Sequence, residues 1–160
     1  MVEVAERRPA TILQAAGWPE DRAALHTALA AWLGAPPPEL GWARSHDGRT
    51  VMAVAHGRWL LLADTPVPPP DAPPLVATDL SAARRVLRLT GPDLEPLLRS
   101  GVGFDPDARA FPPGRVAQTL IHLVPVLLHR IDEAAVDLLV PSSWAHALRA
   151  WLDDALVAGG

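Results

Sequence analysis

Cysteine, lysine, asparagine and tyrosine are all missing from this 160-residue chain. Without cysteine there is no disulfide framework, no thiolate nucleophile and no sulfur-ligated zinc or iron–sulfur centre, and a reducing cytoplasm is the expected compartment. Without lysine there is no Schiff base and no phosphate-loop ammonium, since all 14 basic residues are arginine. Lys, Asn and Tyr share AT-rich codons, so these absences read as a GC-rich coding sequence before they read as function. A basic patch is missing as well: 6 arginines face 8 acidic residues up to residue 76, and 8 face 10 after it. Nothing in that balance invites nucleic acid. Apolar runs such as 59–63 and 123–128 are far shorter than the roughly 20 residues of a membrane-spanning helix. The first nine residues carry Glu3, Glu6, Arg7 and Arg8 instead of a secretory apolar stretch, which again indicates the cytoplasm and no membrane.

What is present is a folded chain, 49% hydrophobic and 20% charged, long enough for one domain or two small ones to bury about two-thirds of the unfolded surface. Pro66, Pro68, Pro69, Pro70, Pro73 and Pro74 fall close together and withhold backbone donors, so residues 65–76 read as a stiff linker between halves 1–64 and 77–160. In the first half, 11–15 reads as a strand. Pro19 then opens a helix whose Leu25, Ala28, Leu29 and Trp32 follow i, i+3, i+4, i+7 until Gly34. Residues 51–55 and 58–63 read as a hairpin turning at His56-Gly57. In the second half, 85–89 is a strand and 92–100 a helix. Residues 115–122, 124–130 and 135–140 are strands, with a turn at Asp132-Glu133. Ser142 or Ser143 then caps a final helix with Trp144, Leu148, Trp151, Leu152 and Ala155 on one face. The fold class is α+β: two loosely duplicated β-α-β halves with antiparallel sheets, joined by the proline-rich linker.

The chain offers no catalytic, cofactor-binding or metal motif. Gly101-Val102-Gly103 starts like a dinucleotide fingerprint, but Pro106 stands at its last glycine and a helix precedes it where a strand is required. Asp105 and Asp107 open like a calcium loop, yet Arg109 and Val116 occupy later ligand positions, which leaves turn residues. The six histidines show no zinc spacing, and His122 and His129, an odd number apart, would face opposite sides of one strand. Of six tryptophans, Trp32, Trp144 and Trp151 fall on core faces. Trp18 and Trp42 lie among Gly and Pro, where an exposed indole anchors a partner protein.

Thr78-Asp79-Leu80-Ser81, then Val86 through Gly91-Pro92-Asp93, resemble the opening of the glycine-cleavage T-protein superfamily. The match continues through Phe104-Asp105-Pro106, Phe111-Pro112-Pro113-Gly114, Gln118-Thr119, Pro141-Ser142-Ser143 and Trp151-Leu152. With Gly57-Arg58-Trp59-Leu60-Leu61 in the first half, this order and spacing resemble the gamma subunit family of heterotetrameric sarcosine oxidase. The resemblance implies an assembly that oxidises an N-methyl amino acid such as sarcosine to glycine, passing the one-carbon unit to tetrahydrofolate and electrons through flavin to oxygen. It implies alpha, beta and delta partners that carry FAD, FMN, NAD, tetrahydrofolate and zinc. This chain would be an accessory subunit, needed for assembly and inactive alone. Its expected subunit interface comprises Trp18, Trp42, Arg84, Arg85, Phe104 and Phe111. The alternatives are a gamma-like subunit of a heteromeric amine or proline dehydrogenase, and a stand-alone folate-binding T-protein-like protein.

Folate-using members of the superfamily carry an acidic, Asn- and Gly-rich hairpin where this chain has His122-Leu123-Val124-Pro125, with no carboxylate for a pterin ring or an amine. The isolated chain is therefore expected neither to bind folate productively nor to transfer a one-carbon unit. Isothermal titration with tetrahydrofolate should show no micromolar binding, and a micromolar affinity would contradict this reading.

Overall fold

The computed structural model describes residues 1–159, which form ten strands and three α-helices. In chain order these are β1 (Glu3–Arg7), β2 (Thr11–Ala16), α1 (Arg22–Leu33), β3 (Ala43–His46), β4 (Arg49–Ala55), β5 (Arg58–Ala63) and β6 (Val76–Asp79). There follow β7 (Arg84–Thr90), α2 (Leu94–Gly101), β8 (Val116–Ile121), β9 (Val124–Asp132), β10 (Ala135–Pro141) and α3 (Ala145–Ala158). The chain divides into two compact units, one of Arg8–Ala82 and one of Met1–Arg7 together with Ala83 onward. Each holds a five-stranded sheet in which every pairing is antiparallel.

In the Arg8–Ala82 unit the strand order is β3-β4-β5-β2-β6. The helix reading holds because Leu25, Ala28, Leu29, Trp32 and Leu33 line one face of α1 and are all buried. They pack on Leu13 and Ala15 of β2, Val51 and Ala53 of β4, and Trp59, Leu61 and Ala63 of β5, the alternate residues that share one sheet face. Gly34 ends α1 in the left-handed region (φ 78°), its N–H bonded to the Ala30 carbonyl, as the sequence indicates. Gly57 turns the β4–β5 hairpin at φ 68°. A Cβ there would lie 2.4 Å from the Gly17 carbonyl oxygen, so no larger residue fits.

The proline-rich stretch is tied down along its length. The Trp32 indole N–H donates to the Pro68 carbonyl at 3.0 Å, and Val67 N–H donates to the Thr11 hydroxyl at 3.0 Å. That hydroxyl donates in turn to the Thr65 carbonyl at 3.1 Å. Val67 and Ala72 pack against the core below. The Arg49 guanidinium lies 5.3 Å from the centre of the Trp32 ring and donates to its backbone carbonyl, which fixes the indole from behind. The flanking strands β5 and β6 belong to the same sheet, so this stretch joins two strands of one unit. The units part at Arg7–Arg8 and at Ala82–Ala83, whereas composition placed the division at 65–76.

In the other unit the order is β1-β7-β10-β9-β8. Leu87, Leu89, Leu128, Val136, Leu138 and Val140 form the core face of the sheet. Leu94, Leu97 and Leu98 of α2 and Leu148 and Leu152 of α3 belong to the same buried cluster. The two units have one topology. Strand, helix and three strands (β2, α1, β3, β4, β5 against β7, α2, β8, β9, β10) are laid out in the same spatial order, with a fifth strand beside the first. That fifth strand is β6, later in the chain, in one unit, and β1, from the start of the chain, in the other.

Three strands, β1, β3 and β6, escape the sequence reading, which gave no element to 3–7 and placed Thr78-Asp79 in the second half. Two details of the helices also differ from expectation. Residues Pro19–Asp21 and Ser142–Trp144 are single 3₁₀ turns ahead of α1 and α3. Trp144, not Ser142 or Ser143, is the N-cap of α3, with no side-chain capping bond. The tighter turn also rotates Trp144 off the row of Leu148 and Leu152, so it is 44% exposed and not a core residue.

Trp32→Phe keeps most of the buried ring but deletes the donor to Pro68, a loss of about 1–2 kcal/mol from the hydrogen bond and its packing. Limited digestion with a non-specific protease should then cut within 66–74 markedly faster than in the parent. An unchanged cleavage rate would contradict this anchoring.

Candidate functional site

The strongest polar constellation is made by charged residues set in otherwise apolar strands. Asp137 of β10 lies opposite Arg88 of β7 on one side and His129 of β9 on the other. Strand alternation puts these three on the sheet face opposite Leu87, Leu89, Val136 and Leu138. The Asp137 carboxylate is 1% exposed and accepts three bonds: Arg7 Nη1 at 2.7 Å, Arg88 Nε at 2.7 Å and Arg88 Nη2 at 2.9 Å. The Arg88 contact is bidentate, the geometry in which guanidinium and carboxylate bind most firmly. His129 is buried beside this cluster. Burial first, then the Arg88 and Arg7 charges, push its imidazole from the ordinary 6.5 down to about 4, against the pull of Asp137. The Asp137 oxygens are thus saturated by two guanidiniums, and the imidazole beside them is neutral at neutral pH.

A second buried cation serves a loop. Arg130 of β9 is 1% exposed and donates through Nη1 to the carbonyls of Glu133 (3.0 Å) and Asp132 (3.4 Å) and through Nη2 to that of Pro106. Its Nε has no partner, and burial lowers its proton affinity. One side chain thereby staples the loop ahead of β8 to the β9–β10 turn.

The residues expected to meet a partner are distributed as follows. Trp18 follows β2 and is 71% exposed. Trp42 is half-buried at the start of β3, where its carbonyl accepts from Ala53 N–H. Arg84 is half-buried at the start of β7, and exposed Arg85 pairs with Glu6 of β1 at 2.8 Å. Phe111 lies inside the core at 5% exposure, with half-buried Phe104 tilted against it at 5.1 Å. Only these two phenylalanines are brought into mutual contact. Asp105 and Asp107 bond their own loop: Asp107 N–H donates to Asp105, and Arg109 holds the Asp107 carboxyl down at about 2. Among the described residues no group of three or more His, Cys, Asp or Glu could hold a metal ion.

The histidines go to rings and turns. His26 meets Trp59 edge-on at 6.0 Å, within a cleft of about 650 Å³ that Trp18 and His56 also line. His122 turns the β8–β9 hairpin at φ 54° and stacks on Trp151 at 6.3 Å, leaving Leu123 71% exposed at the tip. Sequence reasoning missed Asp137, Arg88, Arg7 and His129 as a group. The available signal was the lone charge of Asp137 in the middle of β10, but the register that joins it to the others is a tertiary property.

No protein-family model and no curated protein matches the chain. Among solved structures, it superposes on the glycine cleavage system aminomethyltransferase T from Bartonella henselae with a TM-score of 0.59. The identity is 15% over 94% of this chain, which spans 45% of that one. The duplicated antiparallel α+β architecture is therefore a T-protein-like fold. It also matches a chain of the heterotetrameric sarcosine oxidase from Corynebacterium sp. U-96, solved in complex with pyrrole 2-carboxylate. Here the TM-score is 0.86 and the identity 29%, over 98% of this chain and 84% of that one. In sequence and in shape the chain is thus similar to a chain of a heterotetrameric sarcosine oxidase, the kind of protein that its sequence resembles. No described helix is long and apolar enough to cross a membrane.

Because His129 is neutral when folded and protonates near 6.5 when unfolded, the unfolded chain binds the extra proton between these limits. Its contribution is complete above pH 6.5 and declines as pH falls to about 4, a loss on the order of 3 kcal/mol. Urea unfolding at pH 7.5 and 4.5 should show a smaller acid loss in His129→Gln than in the parent, and equal losses would contradict the assignment.

Proposed function

We propose that this chain is the gamma subunit of a heterotetrameric sarcosine oxidase. It is an accessory subunit required for assembly of an enzyme that oxidatively demethylates sarcosine to glycine, with tetrahydrofolate as one-carbon acceptor. The observation that carries this reading is the match to a chain of such an oxidase over 98% of the length, in sequence and in shape together. The alpha, beta and delta subunits hold the FAD, FMN, NAD, tetrahydrofolate and zinc in this reading. The buried ionisable groups of the chain support a noncatalytic part. Asp137 is saturated by Arg7 and Arg88, and Arg130 is engaged with three backbone carbonyls. Each holds strands or a loop in place.

Each unit offers its own partner contacts in this reading, Trp18, the most exposed of the tryptophans, and Trp42 in one, Arg84, Arg85 and half-buried Phe104 in the other, while the burial of Phe111 takes it out of the set. The compartment is the cytoplasm. A tagged copy purified gently from its native host should bring down a yellow complex whose subunit masses include two larger chains, bleached by sarcosine. Bleaching by proline instead would assign the complex to a dehydrogenase of the same build. A colourless monomer would contradict the subunit reading.

A further inference from the structure

The two units repeat one backbone arrangement around the turn of their last hairpins, and one side chain makes them differ. In the Arg8–Ala82 unit, Gly41 N–H donates to the Ala53 carbonyl at 2.8 Å and Ala53 N–H to the Trp42 carbonyl at 3.0 Å. In the other unit, Gly114 N–H donates to the Arg130 carbonyl at 2.8 Å and Arg130 N–H to the Arg115 carbonyl at 3.0 Å. Both glycines are left-handed, at φ 82° and 89°. Ala53 pairs with Trp59 across its hairpin as Arg130 pairs with Val136, and the register shifts beside each pair. Gly17 N–H reaches the Gly57 carbonyl at 3.0 Å, as Gly91 N–H reaches the Ala134 carbonyl at 2.9 Å. Ala53 therefore holds the position of Arg130, and Ala55 and His56 hold those of Asp132 and Glu133.

Arg130 closes its position. It donates to the carbonyls of Asp132 and Glu133 in the hairpin and of Pro106 in the loop after α2. Ala53 ends at its Cβ, and the space beyond it is a cleft of about 650 Å³, bordered by Ala55 and His56 of the hairpin and by Pro37 and Pro38 of the loop after α1. Trp59, with His26 edge-on at 6.0 Å, and Trp18 give the cleft aromatic walls. Its mouth is open, since Trp18 is 71% and Leu40 46% exposed and His56 and Glu39 are exposed as well. Arg22 lines it from the first turn of α1, where Glu20 and Asp21 precede it, and Glu39 lines it from the loop.

We propose that an arginine side chain of another subunit enters this cleft and does between chains what Arg130 does within one. Its guanidinium donates to the Ala55 and His56 carbonyls and lies against Trp59 and Trp18, whose ring faces attract a cation. Arginine suits the site better than lysine because the carbonyls that Arg130 joins belong to two separate segments, which a planar fork of donors reaches at once. A protein side chain suits it better than a free guanidino compound, because a guanidinium fills a small part of the 650 Å³ and leaves Trp18 and Leu40 for the apolar neighbours of that arginine to cover. This rests on the subunit reading above and names the chemistry that Trp18 meets.

Ala53→Arg supplies the guanidinium from within the chain. In the tagged full-length chain it should lower the yield of flavin-containing complex at least tenfold, while the isolated variant stays folded. Trp18→Ala, at an exposed position, keeps the test decisive where Ala53→Arg does not fold, and it too should lower the yield at least tenfold. Titrated into the isolated chain at millimolar concentration, N-acetylarginine amide should shift the His56 and Gly57 amide resonances and an indole N–H, whereas N-acetyllysine amide should not. Equal shifts from both compounds, or none from either, would overturn the proposal. A yellow complex that forms in full with the folded variants would overturn the cleft proposal and leave the subunit reading standing. Absence of any flavin complex from the parent chain would overturn both. An isolated chain with the mass of two copies, reduced to one by Ala53→Arg, would overturn the proposal in favour of self-association.

Discussion

A carboxylate buried at 1% exposure is stable only while its charge is answered, and in this protein Asp137 is answered by Arg7 from β1 and Arg88 from β7. Asp137 itself belongs to β10, and its other neighbour, His129, belongs to β9. One ionised group therefore fixes the relation of four of the five strands in its sheet. Sliding β10 by one residue would turn Asp137 to the leucine face and leave two guanidiniums confronting each other. The same demand accounts for the neutral imidazole, since a third cation beside Arg7 and Arg88 would be costly away from water. We read the cluster as a device for register and for recruiting the N-terminal strand, because Arg7 is the last residue of β1.

That recruitment explains how a duplicated chain closes both of its sheets. Each unit runs strand, helix and three strands in one spatial order, and each leaves room for a fifth strand beside its first. The Arg8–Ala82 unit takes β6 from after the proline-rich stretch, which Trp32 and Thr11 hold along the unit. The other unit takes β1 from the start of the chain. The proline-rich stretch returns the chain within one sheet, and the change of unit falls at the short Leu80–Ala83 segment that follows.

The elements legible in the sequence were those with a clear period. Leu25, Leu29 and Trp32 announced α1, Gly34 its end, and His56-Gly57 the β4–β5 turn, because each rests on local geometry. The strands β1, β3 and β6 were not legible because their charges, which protect edges, are the composition of a solvated loop. Phe111, expected as a partner contact, is buried in the core, and Arg130 staples the neighbouring loop. Trp144 was misplaced by a single 3₁₀ turn. The Asp137 cluster needed strand register, which no local pattern reveals. The resemblance was legible because its signature is the order of turn residues over half the chain, and such residues mark the ends of elements whether or not their interiors are understood.

In the proposed reading, the ionisable groups of this chain hold a fold that other subunits need and take no part in their chemistry. The most direct measurement is on Asp137→Asn, made in the purified complex and in the isolated chain. The isolated chain should lose about 3 kcal/mol or more of unfolding free energy. Turnover of sarcosine per assembled, flavin-containing complex should meanwhile equal that of the parent. A complex that assembles in full yet turns over many times more slowly would contradict it.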